Sequence, residues 1–191
     1  MAKQIAFYVE QKFCVGCKTC QVACKDKHDL KVGQLYRRVS ETAGGGFEIK
    51  GATVIPAVYA FWTSISCNHC GQPVCVENCP VGAVQKQAAD GIVYIDQEKC
   101  VGCRKCVKSC PYGAPQYNRE TRKTGKCDFC RDELAAGKPP VCVAACPLRA
   151  LDYGPLNVLQ RKYGKANETK GLPAGGQTQP ALVIAPHRDA L

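Results

Sequence analysis

The chain has 191 residues, of which 46% are hydrophobic, 22% are charged and sixteen are cysteine, and its formal net charge is +10. That length holds one sizeable core or two small ones, and that much cysteine makes sulfur chemistry, rather than ordinary packing, the influence that dictates the fold. The longest mostly apolar run, "ATVIPAVYAFWTSI" at 52–65, contains a proline and falls short of the roughly 20 residues a spanning helix needs, so no membrane span is expected.

In chain order, "IAFYV" (5–9) reads as a short strand and leads into group one, "CVGCKTCQVAC", with Cys14, Cys17, Cys20 and Cys24. The stretch before it lacks the charged-then-apolar order of a signal peptide, and the pair Arg37 and Arg38 lies too deep for a twin-arginine signal. Without export of its own, a disulfide framework is disfavoured. The connection from Lys25 to Ser66 contains "AGGG" at 43–46, read as a turn. "YAFWTSIS" (59–66) is a strand before group two, "CNHCGQPVCVENCP", with Cys67, Cys70, Cys75 and Cys79; "GAVQK" (82–86) is a strand after it. "GIVYID" (91–96) leads into group three, "CVGCRKCVKSCP", with Cys100, Cys103, Cys106 and Cys110. Group four, "CDFCRDELAAGKPPVCVAACP", holds Cys127, Cys130, Cys142 and Cys146. It lacks a leading strand and carries an insert in which "RDELAAG" reads as a short helix ending at Gly137. "PLNVLQRKYG" (155–164) reads as a helix with Pro155 at its first turn and Gly164 as its stop. "KANETKGLPAGGQTQ" reads as a flexible arm, and "PALVIAP" (180–186) either docks on a partner or lies back over the body.

Spacing separates the possible metals. Structural zinc takes two well-separated CxxC knuckles. Groups one and three instead offer three thiols at two-residue gaps and a fourth after three residues, the run that wraps an iron–sulfur cubane and lends its last cysteine to a second cluster. Groups two and three, close in sequence, then exchange fourth ligands, giving Cys67, Cys70, Cys75 with Cys110, and Cys100, Cys103, Cys106 with Cys79. Groups one and four pair across them, giving Cys14, Cys17, Cys20 with Cys146, and Cys127, Cys130, Cys142 with Cys24. Each cluster with four thiolates carries roughly −2, so +10 falls to about +2, and a nucleic-acid partner is not expected.

Gly16 and Gly102 let the backbone approach the cluster, and Pro80, Pro111 and Pro147 end the turn at the preceding cysteine. His69, inside "CNHC", is expected beside a ligand, hydrogen-bonded rather than coordinating, and His28 and His187 at the surface. Trp62, Tyr59, Tyr94, Tyr112, Tyr117 and Tyr153 are expected to pack rather than relay electrons. No nucleotide loop, catalytic triad or carboxylate pair is legible, so the chain is expected to move electrons without catalysing bond chemistry.

With "SISCNHC", "CPYGAPQYN", "TGKCDFC" and "CPLRALDYGPL" linking four cysteine groups, the chain resembles the iron–sulfur subunits of anaerobic dimethyl sulfoxide reductases, and less closely those of other molybdopterin oxidoreductases. The resemblance implies four [4Fe-4S] clusters, since Cys103 stands where some nitrate-using relatives have tryptophan. The nested pairing, with the outer pair enclosing the inner one, predicts an α+β fold of two interlocked bacterial-ferredoxin-like modules with two clusters each, built of short strands, short helices and long loops. The expected division is 1–33 for the group-one half-module, 34–58 for an insertion, 59–89 and 90–120 for groups two and three, 121–164 for group four with the closing helix, and 165–191 for a C-terminal arm. The resemblance further implies two partners, a molybdopterin-containing catalytic subunit and an integral membrane anchor that oxidises quinol. The expected place is peripheral on the cytoplasmic membrane, on the outer face by co-export with the catalytic subunit. Sulfoxide, amine oxide, polysulfide, thiosulfate, tetrathionate and formate enzymes share such wiring. A free-standing soluble polyferredoxin and a zinc-stabilised binding module are the competing classes.

Overall fold

Strand β1 (Ile5–Glu10) has both hydrogen-bonding edges filled: β10 (Leu151–Pro155) pairs antiparallel on one side and β11 (Leu182–Ala185) parallel on the other. This is seen in a computed structural model that describes residues 3–190, so positions 1, 2 and 191 of the expected terminal segments lie outside the described residues. Phe7 and Val9 face the main core with Leu151, Leu182, Ile184 and Phe129, while Ala6 and Tyr8 pack on the other face against Leu159 of helix α6 (Leu156–Tyr163). A strand buried on both faces explains why "IAFYV" is a continuous apolar run.

"PALVIAP" therefore lies back over the body, and the arm before it is hydrogen-bonded to the body. The Gly71 and Gln72 amides donate to the carbonyls of Gln179 and Thr178 at 2.7 and 3.0 Å, and the Thr169 hydroxyl donates to Gln11 Oε1 at 2.9 Å. Polar, glycine-rich composition suggests disorder because it shows no side-chain period, but main-chain hydrogen bonds to neighbouring loops leave no such trace in sequence.

The connection between groups one and two is a β-ribbon. β2 (Arg38–Gly44) pairs antiparallel with β5 (Tyr59–Ile65), and the ribbon continues as β3 (Phe47–Lys50) against β4 (Thr53–Pro56). "AGGG" is not the reversal, which falls at Gly51, φ +63. Gly45, φ +89, marks the step between ribbon halves, where a Cβ would strike the Ala57 carbonyl oxygen.

β6 (Val84–Lys86) and β7 (Val93–Ile95) form an antiparallel hairpin between groups two and three. β8 (Gln116–Tyr117) pairs with β9 (Thr124–Gly125), so group four does have a leading strand, two residues long and too short to carry a periodic signal. Five short helices complete the α+β architecture: α1 (Thr19–Lys27), α2 (Val74–Glu77), α3 (Lys105–Ser109), α4 (Arg131–Ala135) and α5 (Val141–Ala144). α4 stops before Gly137, φ +71, and α6 runs between Pro155 and Gly164, φ +94. α1 packs on α5, and α2 on α3. Among the described residues, no helix is long and apolar enough to cross a membrane.

Candidate metal centres

In the first CxxC of each of the four groups the residue before the second cysteine has a left-handed backbone: Gly16 at φ 70, His69 at 42, Gly102 at 67 and Phe129 at 66. Lys18 and Arg104, at φ 60 and 61, repeat the conformation just ahead of α1 and α3. Left-handed residues in such loops turn successive amides inward, the geometry that solvates an anionic centre, and Cys130, at φ 50, extends the turn after Phe129. The Phe129 amide donates to Cys127 Sγ at 3.4 Å, the His69 amide to Cys67 Sγ at 3.5 Å and the Thr124 amide to Cys100 Sγ at 3.5 Å.

The Cys-Pro endings share a second device. Gly82, Gly113 and Arg149, three residues past Cys79, Cys110 and Cys146, are also left-handed, at φ 60, 58 and 53. Burial pushes the Cys79 thiol up, but the amides of Val84, Val81, Ala83 and Gly82 outweigh it and hold the group below its ordinary value. Cys24 has no proline after it, and α1 continues through it to Lys27.

These turns bring thiols of different groups together. One cavity is lined by Cys14, Cys17, Cys20 and Cys146, with Val39 and Leu151. Another is lined by Cys67, Cys70, Cys75 and Cys110, with Val93 and Lys126. Burial pushes Cys24 up to about 11 and Cys130 up to about 12, and Cys142 adds to both; Cys127 is raised by burial, then by Cys24 and others. Burial also raises Cys106, with Cys100, Cys103 and Cys79 contributing. Cys17 and Cys103 are exposed, whereas the other thiols are buried or half-buried, and all sixteen are free of disulfides.

Two buried cations were not singled out from sequence for this role. Arg37 is 1% exposed; its Nη1 donates to Ser64 O and Oγ at 3.1 Å and its Nη2 to Ser66 Oγ at 3.1 Å. Its Nε has no partner, and among the described residues no carboxylate reaches it. Burial works against the guanidinium charge, yet Cys142, Cys20, Cys127 and Cys24 raise its pKa above the ordinary value. Lys126 is likewise buried, with Nζ 3.4 Å from Cys67 Sγ. An uncompensated buried charge costs several kcal/mol, roughly, so both positions call for an anion that, among the described residues, no carboxylate supplies. Clusters ligated by four thiolates, at roughly −2 each, have that charge, so these residues fit iron–sulfur centres. The twin basic pair was a visible signal for Arg37, but nothing in "RR" distinguishes the buried member; Lys126 announces itself only by preceding a cysteine.

His69 is buried beside two thiols, with Nδ1 accepting from the Val93 amide at 2.9 Å and Nε2 3.8 Å from Cys127 Sγ. His28 and His187 are half-buried: His28 tilts against Tyr36 at 5.2 Å between centroids, and His187 stacks on Phe61 at 5.6 Å. An aromatic ring covers each of them, a tertiary effect that isolated histidines do not signal. Trp62 donates to Glu41 Oε2 at 3.2 Å and fills the space beside Gly16. Tyr112 exchanges a 3.0 Å hydrogen bond with Thr178, Tyr94 donates to Gln85 at 2.6 Å and Tyr153 packs near Phe129.

The family profile described as "4Fe-4S dicluster domain" matches residues 58–156, and that described as "4Fe-4S binding domain" matches 13–32. The chain belongs to this iron–sulfur dicluster family. It is 45% identical over 190 residues to the B subunit of anaerobic dimethyl sulfoxide reductase from Escherichia coli (strain K12), covering 100% of this chain and 92% of that one. The corresponding subunit of Haemophilus influenzae is 43% identical, over 98% of this chain and 92% of its own. The thiosulfate reductase electron transfer subunit of Salmonella typhi is 35% identical, over 86% and 84%. Within the wider family, the chain is an iron–sulfur subunit of the dimethyl sulfoxide reductase type.

Proposed function

We propose that this chain carries electrons singly through four [4Fe-4S] clusters, from a membrane anchor that oxidises quinol to a molybdopterin-containing catalytic subunit of dimethyl sulfoxide reductase type. The complex would sit on the outer face of the cytoplasmic membrane. The chain would catalyse no bond chemistry itself. Two interlocked ferredoxin-like modules hold the clusters: Cys14, Cys17, Cys20, Cys146 and Cys24, Cys127, Cys130, Cys142 in the outer one, Cys67, Cys70, Cys75, Cys110 and Cys79, Cys100, Cys103, Cys106 in the inner one.

The observation that carries this reading is the pair of cavities in which three thiols of one group meet the fourth of another. The packing of α1 on α5 and of α2 on α3 supports the same exchange. When bound, the clusters supply reversible one-electron storage. The protein's part is to supply thiolates, aim amides at their sulfurs, exclude water with Val39, Leu151 and Val93, and balance charge with Arg37 and Lys126. Electrons would enter and leave beside Cys17 and Cys103, which are exposed next to exposed Val15 and Val101.

Cys110→Ser separates swapped from local ligation. The cluster of Cys67, Cys70 and Cys75 should lose its ordinary signal in electron paramagnetic resonance while that of Cys100, Cys103 and Cys106 persists; the reverse would refute the swap. Anaerobic purification from native membranes should retain a molybdenum-containing chain and a membrane chain. Recovery as a lone monomer would instead indicate a soluble polyferredoxin.

A further inference from the structure

The modules meet at a buried junction whose residues coordination alone does not require. His69 and Phe129 hold the left-handed positions of "CNHC" and "CDFC", where groups one and three have glycine. Glycine would relieve the strain at both. Instead the His69 ring packs edge-on against Phe129, 5.2 Å between centroids, and Phe129 stacks on Phe7 at 4.0 Å. Retained strain of this kind points to work done by the side chains.

His69 Nδ1 accepts from the Val93 amide, which leaves the ring proton of neutral imidazole on Nε2, facing Cys127 Sγ. Its own amide donates to Cys67 Sγ, so one residue touches a thiol of each module. Lys126 lies in the same junction. Its Nζ is surrounded by the Val93 carbonyl, the Cys127 carbonyl at 2.8 Å and Cys67 Sγ at 3.4 Å. Three acceptors around one buried nitrogen match the three donors of an ammonium.

We propose that Lys126 and His69 form the electron-transfer junction between the modules and favour reduction of the two centres they face. Lys126 acts on the centre of Cys67, Cys70, Cys75 and Cys110, and His69 on that of Cys24, Cys127, Cys130 and Cys142. The proposal rests on the four-cage reading above. A fixed positive charge and a hydrogen bond to ligand sulfur both stabilise added negative charge, and the dry surroundings strengthen them. One electron passes at a time, and neither residue gains or loses a proton as it passes. Both are positioning residues that hold the two central steps of the path at higher potential than their cages alone would.

The test is a redox titration of the full chain followed by electron paramagnetic resonance, with each signal assigned by a Cys→Ser change in its own cage. Lys126→Met should lower the reduced-to-oxidised ratio of the Cys67 centre at a given potential at least tenfold, about 59 mV for one electron. His69→Asn, which tolerates the left-handed backbone, should lower that of the Cys127 centre. The centres of Cys14 and Cys100 should stay in place in both. Fully iron-loaded variants with unmoved potentials, or an equal displacement of all four centres, would overturn the proposal.

Should Lys126→Met fail to assemble, the native protein decides. Among the described residues Lys126 alone places Nζ within hydrogen-bond distance of a cysteine sulfur. Lysine labelled with nitrogen-15 at Nζ should therefore give a hyperfine coupling to the reduced Cys67 centre, and its absence would sink the idea. The native protein's iron content separates the two failures: a chain without iron defeats the four-cage reading, whereas an iron-loaded chain with no coupling defeats the junction alone.

Discussion

Gly102 sits at φ +67 with the Arg122 carbonyl oxygen where a side chain would begin, and Gly16 at φ +70 has the Trp62 indole in that place. At Gly102 the obstacle is main chain, which cannot swing aside. Gly102→Ala should therefore cost about 2 kcal/mol or more, from the left-handed backbone and the collision together. The cage of Cys79, Cys100, Cys103 and Cys106 should suffer first. Iron analysis of the anaerobic variant should show about four fewer atoms per chain than the native protein, with the other three signals intact. These glycines were legible because they recur at one offset in two groups. His69 and Phe129 hold the same backbone but were not legible, since neither residue type advertises a positive φ. The sixteen thiols could be read directly, whereas Arg37 and Lys126 could not, because what matters about them is burial, and burial is a property of the folded chain.

Among the elements, the strands flanking the cysteine groups were legible from apolar runs bounded by turn residues. β9 and the docked arm were not, being held by backbone pairing that leaves no periodic pattern. Helix α6 shows how such parts are fastened. Asp152 of β10 accepts from the Tyr163 hydroxyl at 2.7 Å, from the Tyr153 amide at 2.8 Å and from Lys162 at 3.4 Å. Partial burial raises its pKa, but these donors together bring it below the ordinary value. A carboxylate depressed in the folded state stabilises it above the unfolded value, about 3.9, and loses that effect as pH falls through the folded value. Protection factors of the α6 amides, which divide out the intrinsic pH dependence of exchange, should thus be steady from about pH 5 to 8 and fall below about 4. Asp152→Asn should exchange faster at neutral pH and lose most of the acid dependence. With the Asp152 side chain 36% exposed, screening limits the effect to about 1 kcal/mol or less. An Asp152→Asn chain with native exchange at pH 7 would show that α6 is held by buried Leu159 and by Tyr163 stacked on Tyr8, 3.7 Å between ring centroids, alone.

For the molecule as a whole, a formal charge of +10 is difficult to reconcile with two buried, carboxylate-free cations unless anions of another kind share the interior. Groups one and four enclose groups two and three in sequence, and their helices pair in the same nested order, α1 with α5 around α2 with α3. Under the proposed ligation, that nesting would give a path with an exposed thiol at either end and a buried junction between. The central claim is that four iron–sulfur cubanes occupy these cages, and metal and acid-labile sulfide analysis of anaerobically isolated protein tests it most directly. The account predicts about sixteen iron and sixteen sulfide per chain with the brown absorbance of cubanes. Colourless protein holding zinc without sulfide, or iron far below that figure in intact chains, would contradict it.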